Sequence, residues 1–442
     1  MRIVSSYGVE IRKLNSALAG TMRIYRSAVR YLILFYHDVW EELKQIEGEH
    51  RRFNRAEHMV HSTKRNTAVC DFDRRFPGMP SYLRRSAVNH AVGAVSSYYS
   101  RLELWRNSGK KGKAPSLGED SRCMPVFYRD NMYRELPGDF AELKLYNGSS
   151  WVWRRVSLLH TDMQYLRKHW TGKKASAPVL EKRHGKYYLR FSFEEETVLG
   201  TVPPEKQRVC AVDLGLNTDA VCSIMGPDGT VFARKFISFP NEKDHLNHVL
   251  GRIRAFQRRH GGKVVRGFWS YAVRLNDELA RKTASAILNF AAEYRADVIV
   301  FEHLDIHGRI RGSRKMRLHM WKKNAIQDMC EHKAHRLGIR ISRVCAWNTS
   351  RLAFDGTGPV IRDADNYSMC TFSNGKRYHC DLSASYNIGA RYFIRELLKP
   401  LPVTARSALE AKVPAVQRRI SCVYADLRTL HAAMYQGREE AA

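Results

Sequence analysis

Three acidic residues occupy positions where a carboxylate could do chemistry. Asp213 ends the apolar run VCAVD, Glu302 ends the run VIVFE, and Asp381 opens the helical stretch DLSASYNIGARYF. A carboxylate that leaves a buried strand loses hydration, so it needs a partner or a metal to stay charged. Magnesium prefers a few carboxylates with water and phosphate oxygens, and two such ions about 4 Å apart can activate a water and stabilise a leaving oxygen. We therefore predict that Asp213, Glu302 and Asp381 form a catalytic site for two magnesium ions.

Each of these residues has a simpler explanation when it is taken alone. Asp is a favoured N-cap residue, so Asp381 could do no more than cap its helix. Glu302 could be an ordinary charge at a strand end, and Asp219 is better explained as a turn residue than as a fourth ligand. Only the combination of the three acids, in this order along the chain, favours a shared site.

The elements around the three acids predict a mixed sheet with helices packed on it. The predicted strands are 209–212, 221–225, 231–232, 298–301 and 340–345, with a Pro-Asp-Gly turn at 227–229. The predicted helices are 246–259, 275–294 and about 321–337.

The front half of the chain carries no motif that indicates catalysis. Residues 4–11 predict a short strand, and a helical pattern follows through Ile46. A second helical pattern runs from Tyr82 to about Trp105. Beyond the basic loop 108–115, polar and apolar residues alternate as in half-buried strands, with a hairpin turn at His184-Gly185. The fold class is therefore α+β, with more than one domain.

The charge of the chain predicts a polyanionic partner. It has 74 Lys and Arg against 44 Asp and Glu, a formal net charge of +30. Small acidic ligands do not require so much charge, whereas a nucleic acid supplies tens of phosphates. A solvated basic surface is the alternative explanation for each single residue. The predicted nucleic-acid contacts are Arg84, Arg85, Lys110, Lys111, Lys113, Arg309, Arg311 and Arg314.

The remaining composition predicts a cytoplasmic protein. No apolar run approaches the ~20 residues of a membrane span, and the first residues lack the apolar core of a signal peptide. Nine cysteines are scattered without a disulfide framework. Such cysteines suit a reducing compartment better than secretion.

The phrases VCAVDLGLNTDAVCSI, ADVIVFEHL and YHCDLSASYNIGARYF resemble the three RuvC motifs of the TnpB and compact type V CRISPR effector lineage. The resemblance covers about residues 178–395. It implies an RNase H-like nuclease domain in which Asp213, Glu302 and Asp381 are the metal-binding catalytic triad. It also implies a prokaryotic protein that acts at the nucleoid.

The resemblance further implies a β-barrel wedge module interrupted by a helical recognition lobe in front of the nuclease domain. The implied partners are a guide RNA, derived from CRISPR or from a transposon, and double-stranded target DNA. In such systems base pairing reads the sequence and the protein reads a short adjacent motif. A homodimer is left open. The implied domains are the wedge at 1–15 and 118–202, the helical lobe at 16–117, RuvC motifs I and II at 203–345, an insertion at 346–377, motif III at 378–398 and a helical tail at 399–442.

The insertion departs from the family pattern. Members often carry a zinc ribbon there, built from two CxxC pairs, and this chain has none. Cys345, Cys370, His379 and Cys380 lie in that region, but adjacent His379 and Cys380 are awkward ligands for one ion. A shortened loop with buried cysteines is therefore favoured over bound zinc. The residue types of the tail from Lys399 onward indicate no catalytic or binding site.

Two other functions compete with a nuclease. Actin-like sugar kinases share a strand-end Asp followed by glycine, which DLGLNT resembles, but they need a second Asp-Gly hairpin and a Gly-Gly loop downstream of it. Asp355-Gly356 is a loose match, Gly261-Gly262 lies on the wrong side of Glu302, and a kinase has no use for such positive charge. The second alternative is a guide-dependent DNA-binding repressor that has lost cleavage, and the three intact acids oppose it.

Overall fold

The chain divides into two compact units, which are described separately. In this computed structural model the described residues are 1–13, 15–64, 66–110, 112–118, 123–262, 265–303, 320–418 and 420–439. The N-terminal unit is Arg2–Glu195, and the C-terminal unit is Glu196–Ala442 with Met1. The division lies at residues 195 and 196, whereas the sequence places a domain boundary at 202 and 203.

The N-terminal unit combines a group of helices with one sheet. Its helices are α1 Asn15–Asp38, α2 Trp40–Lys44, α3 Glu49–Val60, α4 Phe72–Arg75, α5 Ser81–Asn107 and α6 His160–Trp170. Its strands are β1 Arg2–Arg12, β2 Tyr133–Leu136, β3 Phe140–Tyr146, β4 Trp151–Leu158, β5 Val179–Arg183 and β6 Lys186–Glu196. The six strands form one sheet in the order β2-β3-β4-β1-β6-β5.

Helical and strand periodicity build the core of this unit. Helix α1 buries an apolar stripe that includes Leu18, Tyr25 and Leu32, at the spacing of one helix face. Alternate residues of β3 and β6 are buried in the same core. The predicted single helix through Ile46 is wrong in detail, because α1 ends at Asp38 and the short α2 follows it.

The C-terminal unit contains two sheets. Its strands are β7 Val209–Leu214, β8 Ala220–Met225, β9 Val231–Ile237, β10 Val298–His303, β11 Arg340–Cys345, β12 Ile361–Arg362, β13 Met369–Thr371 and β14 Arg377–His379. Its helices are α7 Pro240–Arg259, α8 Arg266–Glu293, α9 Lys323–Arg336, α10 Cys380–Leu398, α11 Val403–Lys412 and α12 Tyr424–Glu439. Short 3₁₀ turns cover Pro204–Lys206 and Pro414–Arg418.

The larger sheet has the order β11-β10-β7-β8-β9. Strands β7, β10 and β11 run parallel, while β8 is antiparallel to both β7 and β9. The central strands are buried on both faces, which explains their continuous apolar runs. Helix α10 packs on one face, and α8 and α9 pack on the other.

The structure extends several predicted elements and adds others. Strand β9 runs to Ile237, and α7 and α8 begin at Pro240 and Arg266, well before their predicted starts. Most of β9 alternates intermediate and exposed residues, so it lacks the apolar run that reveals a central strand. Strands β12–β14 are two or three residues long, too short to leave a periodic signal. No helix in the described part of the chain is both long and apolar enough to cross a lipid bilayer.

Candidate active site

The register of the sheet brings Asp213 and Glu302 together. Val212 of β7 pairs with Phe301 of the parallel strand β10, so the next residue of each strand is one of the two acids. Side chains alternate between the faces of a strand. Ala211 and Val300, two residues earlier, belong to the core under α10. Asp213 and Glu302 therefore share the face of the sheet that α10 covers.

The third carboxylate comes from the first turn of α10. Asp381 is the second residue of that helix, and its Oδ2 lies 3.9 Å from the point where a Cβ on Gly215 would stand. Gly389 lets α10 approach the sheet closely, because a Cβ there would lie 3.3 Å from the Cβ of Ala211. Packing of the helix against the sheet thus brings Asp381 to the loop that follows Asp213.

Burial shifts the pKa values of all three acids upward. Desolvation raises the pKa of Asp213 well above its ordinary value, and the charges of Glu302 and Asp381 raise it further. Burial also raises the pKa of Glu302 and of Asp381, although Arg391 and the Thr349 hydroxyl oppose the shift at Glu302. A cation that binds among carboxylates crowded in this way stabilises their ionised forms.

The donor set fits magnesium rather than zinc. Three carboxylates are hard oxygen ligands, and magnesium is commonly held by one or two carboxylates, with water and substrate phosphate completing its shell. Among the described residues, no three acidic, His or Cys side chains are arranged to hold one ion together. Magnesium does not require such a set, because two protein carboxylates for each ion suffice.

Similarity to known proteins is remote. Residues 5–147 match the Aq_aa04 family. A search of curated proteins finds no match. Among solved structures, the chain is similar to a Cas12f1–sgRNA–target DNA complex, with a TM-score of 0.47 and 15% identity over 77% of this chain and 74% of that one. It is also similar to the mini-RNA-guided endonuclease CRISPR-Cas_phi3, with a TM-score of 0.46 and 12% identity over 88% and 92% of the two chains. A third structure is C2c1 of Alicyclobacillus acidoterrestris with single-guide RNA, with a TM-score of 0.42 and 11% identity over 86% and 69%.

A partly buried lysine, Lys243, fixes the loop after Asp213. Lys243 Nζ donates to the carbonyl of Asn217 at 2.5 Å and pairs with Asp219 Oδ1 at 3.0 Å. The other oxygen of Asp219 accepts the backbone N–H of Phe239 at 3.0 Å. Asp219 therefore holds the loop that leads from β7 to β8.

Gly215 is the tightest point of this loop, and its replacement by alanine is expected to be costly. A Cβ at Gly215 would lie 2.6 Å from the carbonyl oxygen of Thr218, so the backbone of the loop beside Asp213 must shift. We expect Gly215→Ala to lower the free energy of unfolding by about 1–3 kcal/mol, the usual cost of forcing atoms into a packed site. Urea unfolding measures the loss.

Gly251 provides the matched control for this substitution. It lies within α7, and a Cβ there meets no atom within 4 Å. Gly251→Ala should raise stability by roughly 0.5–1 kcal/mol through helix propensity. Equal effects of the two substitutions would contradict the role assigned to Gly215.

The predicted nucleic-acid contacts differ in their exposure and in their ion-pair partners. Arg84 is buried and lies 3.7 Å from Asp73, and Arg85 pairs with Glu57 at 3.1 Å. Both arginines are therefore engaged within the N-terminal unit. Lys110 and Lys113 are exposed in the loop after α5. The other four predicted contacts, Lys111, Arg309, Arg311 and Arg314, lie outside the described residues.

A basic groove along α1 was not predicted from the sequence. Arg23 and Arg30 project from α1, with Arg75 and Arg154 across one cavity of about 770 Å³ and Lys182 across a second of about 430 Å³. Neither lining includes an acidic residue, and none of these five cations forms an ion pair with a described acid. All five are exposed. We call this feature the α1 groove.

Four further residues near the carboxylates carried no sequence signal as site residues. The Thr349 hydroxyl donates to Glu302 Oε1. The positive charge of Arg362 offsets part of the rise in the pKa of both Asp213 and Asp381, and Arg391 does the same for Glu302. His379 precedes α10, and its buried Nδ1 has no hydrogen-bond partner among the described residues. Thr349 and Arg362 lie in segments without a motif, whereas His379 and Arg391 lie within the third motif phrase, where their residue types give no sign of a role at the site.

The cysteines of the insertion lie in an apolar environment. Cys370 and Cys380 are hydrogen-bonded to each other and are buried with Ala353 and Phe372. Burial raises the pKa of Cys370 to about 12. Cys345 is exposed on β11.

Proposed function

We propose that the protein is an RNA-guided, magnesium-dependent DNA endonuclease with a single RuvC site. The convergence of Asp213, Glu302 and Asp381 at one end of a sheet, under the start of α10, is the observation that carries the proposal. The strand order, with one antiparallel strand beside the first, fits the RNase H-like fold that the sequence motifs imply. The formal charge of +30 fits a partner made of phosphates.

Asp213, Glu302 and Asp381 would hold the magnesium ions. When bound, magnesium supplies a Lewis acid and a water of lowered pKa for attack on a phosphodiester. The chain itself supplies fixed carboxylates, and the Thr349 hydroxyl orients Glu302. Arg362 places a positive charge beside the same cluster, where the charge of a phosphate would arrive.

The partners follow from the resemblance of the three motifs and from the charge. A guide RNA would direct the protein to double-stranded DNA, and base pairing would read the target. A nuclease-silent repressor of the same lineage is the alternative. All three carboxylates are present and close together, which favours cleavage.

The decisive experiment begins with the RNA that co-purifies with the protein. Sequencing it distinguishes a CRISPR-derived guide from a transposon-derived one. The complex is then mixed with a plasmid that carries the matched target, in magnesium and in EDTA. The expected result is that the matched plasmid is cut in magnesium and is not cut in EDTA. Guide-dependent binding without any nicking would favour the repressor.

The α1 groove should contribute to nucleic-acid affinity. In the double variant Arg23→Ala with Arg30→Ala, we expect weaker binding of guide RNA or DNA and a shallower dependence of affinity on salt. Each lost phosphate contact reduces the slope of log K against log salt by about 0.9 for duplex DNA and about 0.7 for a single strand. Titration at several salt concentrations measures the slope.

The double variant Arg85→Ala with Arg55→Ala is the matched control, because these arginines pair with Glu57 and Glu42. It removes the same charge without touching the α1 groove, so its salt slope should stay close to that of the wild type. A slope that falls equally in both double variants would show that the groove has no special role.

A further inference from the structure

Two buried polar side chains on α10 take no direct part in the proposed chemistry. Asn387 and Arg391 lie one helical turn apart on the same face of α10. Asn387 has no exposed surface, and Arg391 is 4% exposed. Burying a cation and an amide is costly unless each is satisfied by fixed partners, so their partners show what the burial achieves.

Asn387 joins two segments that are distant in the chain. Its Nδ2 donates to the carbonyls of Thr349 and Leu352, each at 3.0 Å. Its Oδ1 accepts the backbone N–H of Tyr424 at 3.0 Å. One amide therefore connects the segment after β11 to the start of α12.

Arg391 joins the same two segments. Its Nη1 donates to the carbonyls of Cys345 and Trp347, each at 2.8 Å, and its Nε donates to the carbonyl of Cys422 at 2.9 Å. Its Nη2 is buried without a hydrogen-bond partner among the described residues.

The segment 345–352, which both side chains hold, supports Glu302 directly. The buried Thr349 within it donates its hydroxyl to Glu302 Oε1. The side chain of a catalytic carboxylate is thus oriented by a residue that α10 holds in place through backbone carbonyls.

The C-terminal segment is built into the same unit. Ala425 donates its N–H to the carbonyl of Phe354 at 2.9 Å, and the Tyr424 hydroxyl donates to the carbonyl of Gly229 at 2.7 Å. Cys422 and Leu427 are fully buried in the core under α10. The tail, which the sequence left without a role, therefore contacts α10, the β8–β9 turn and the insertion.

We propose that Asn387 and Arg391 are positioning residues that couple the C-terminal segment Cys422–Ala425 to Glu302 through the segment 345–352. The proposal rests on the proposed nuclease function. In this arrangement the tail is a structural part of the active site, although none of its described residues approaches the carboxylates as a ligand.

Substitution of Arg391 tests the coupling. We expect Arg391→Met to lower kcat for guided cleavage by about 10–100-fold, the usual effect of removing a group that orients a metal ligand. KM and the Kd for guided DNA should not change, because Arg391 is buried and should not contact the bound strand. The affinity for Mn²⁺ alone, measured by electron paramagnetic resonance, should fall by a similar factor. Arg391→Lys keeps the charge and should recover part of both losses.

Arg395→Met is the matched control on the same helix. Arg395 donates to the carbonyl of Arg343 at 3.0 Å and to Ser342 Oγ at 2.7 Å, so it holds β11 but reaches neither Thr349 nor the tail. It should keep the wild-type kcat and Mn²⁺ affinity. Equal losses in the Arg391 and Arg395 variants would overturn the proposal, and so would a changed Kd for DNA with an unchanged kcat.

Thr349→Val keeps the test valid if Arg391→Met does not fold. It removes one hydroxyl and should lower kcat and Mn²⁺ affinity in the same way, while Thr349→Ser should restore both. If Arg391 acts through Thr349, the double variant will lose little more than the worse single variant. Multiplied losses would show that the two residues act independently and would refute the coupling.

Hydrogen exchange tests the link to the tail without any cleavage assay. In Arg391→Met, amides in 345–352 and in 422–425 should both lose protection, whereas neither segment should change in Arg395→Met. Loss of protection in one segment alone would refute the coupling. If the wild type does not cut DNA but Mn²⁺ binding and exchange respond as described, the proposed function fails and the positioning role stands.

Discussion

Replacing Asp213 with asparagine is expected to abolish guided DNA cleavage. The substitution keeps the shape of the side chain and removes the carboxylate whose pKa both other acids raise. Losing one ligand to a catalytic ion removes several kcal/mol of transition-state stabilisation, and about 4 kcal/mol corresponds to roughly a thousandfold in rate. Guide-dependent binding of DNA should persist, because nucleic-acid affinity arises from basic residues elsewhere. Single-turnover cleavage and equilibrium binding, measured on the same preparation, separate the two quantities.

Asp244→Asn provides the control for the loss of one negative charge. Asp244 is exposed on α7, in the same unit as the three carboxylates. Its substitution should leave the cleavage rate within a factor of about two, as expected for an exposed charge that has no ion-pair partner in the described part of the chain. If Asp213→Asn cuts at a rate close to that of Asp244→Asn, the assignment of the site is wrong.

The sequence predicts the parts of this molecule that rest on local periodicity. The continuous apolar runs before Asp213 and Glu302 identify β7 and β10, because only strands buried on both faces read in this way. Two parallel strands that end in an acid, with a helix that begins with another, already place three carboxylates at one end of a sheet. The structure supplies the register and the facing direction that bring them together.

Side chains that reach across the fold leave no comparable signal. Arg391 lies ten residues after Asp381 in α10, and its partners come from two remote segments. Arg84 and Arg85 looked like phosphate contacts because arginines cluster near them in sequence, yet Asp73 and Glu57 engage them. Whether an arginine is free for a ligand depends on its neighbours in space, which the order of residues does not reveal.

The apparent affinity for magnesium is expected to rise steeply with pH. The pKa values of Asp213, Glu302 and Asp381 are all raised by burial, so each carboxylate keeps its proton to a higher pH than a free side chain does. Magnesium binds the ionised form, so it must displace these protons while the pH is below the raised pKa values. Within that window each displaced proton contributes about a tenfold gain in affinity per pH unit, or roughly a hundredfold over two units. Titration with magnesium between pH 5 and 8, followed by the shift in Tm, measures the effect.

The same linkage fixes the sign of the stability change without metal. A carboxyl whose pKa is raised by folding stabilises the folded state below its ordinary pKa, and this contribution is lost as the pH rises through the raised value. In EDTA, wild-type stability should therefore decline relative to Asp213→Asn as the pH increases, because the variant lacks one of the three repelling charges. Magnesium should reverse the difference at pH 8, by stabilising the wild type more than the variant. A wild type and variant that respond identically to pH and to magnesium would show that the three carboxylates do not form a common cation site.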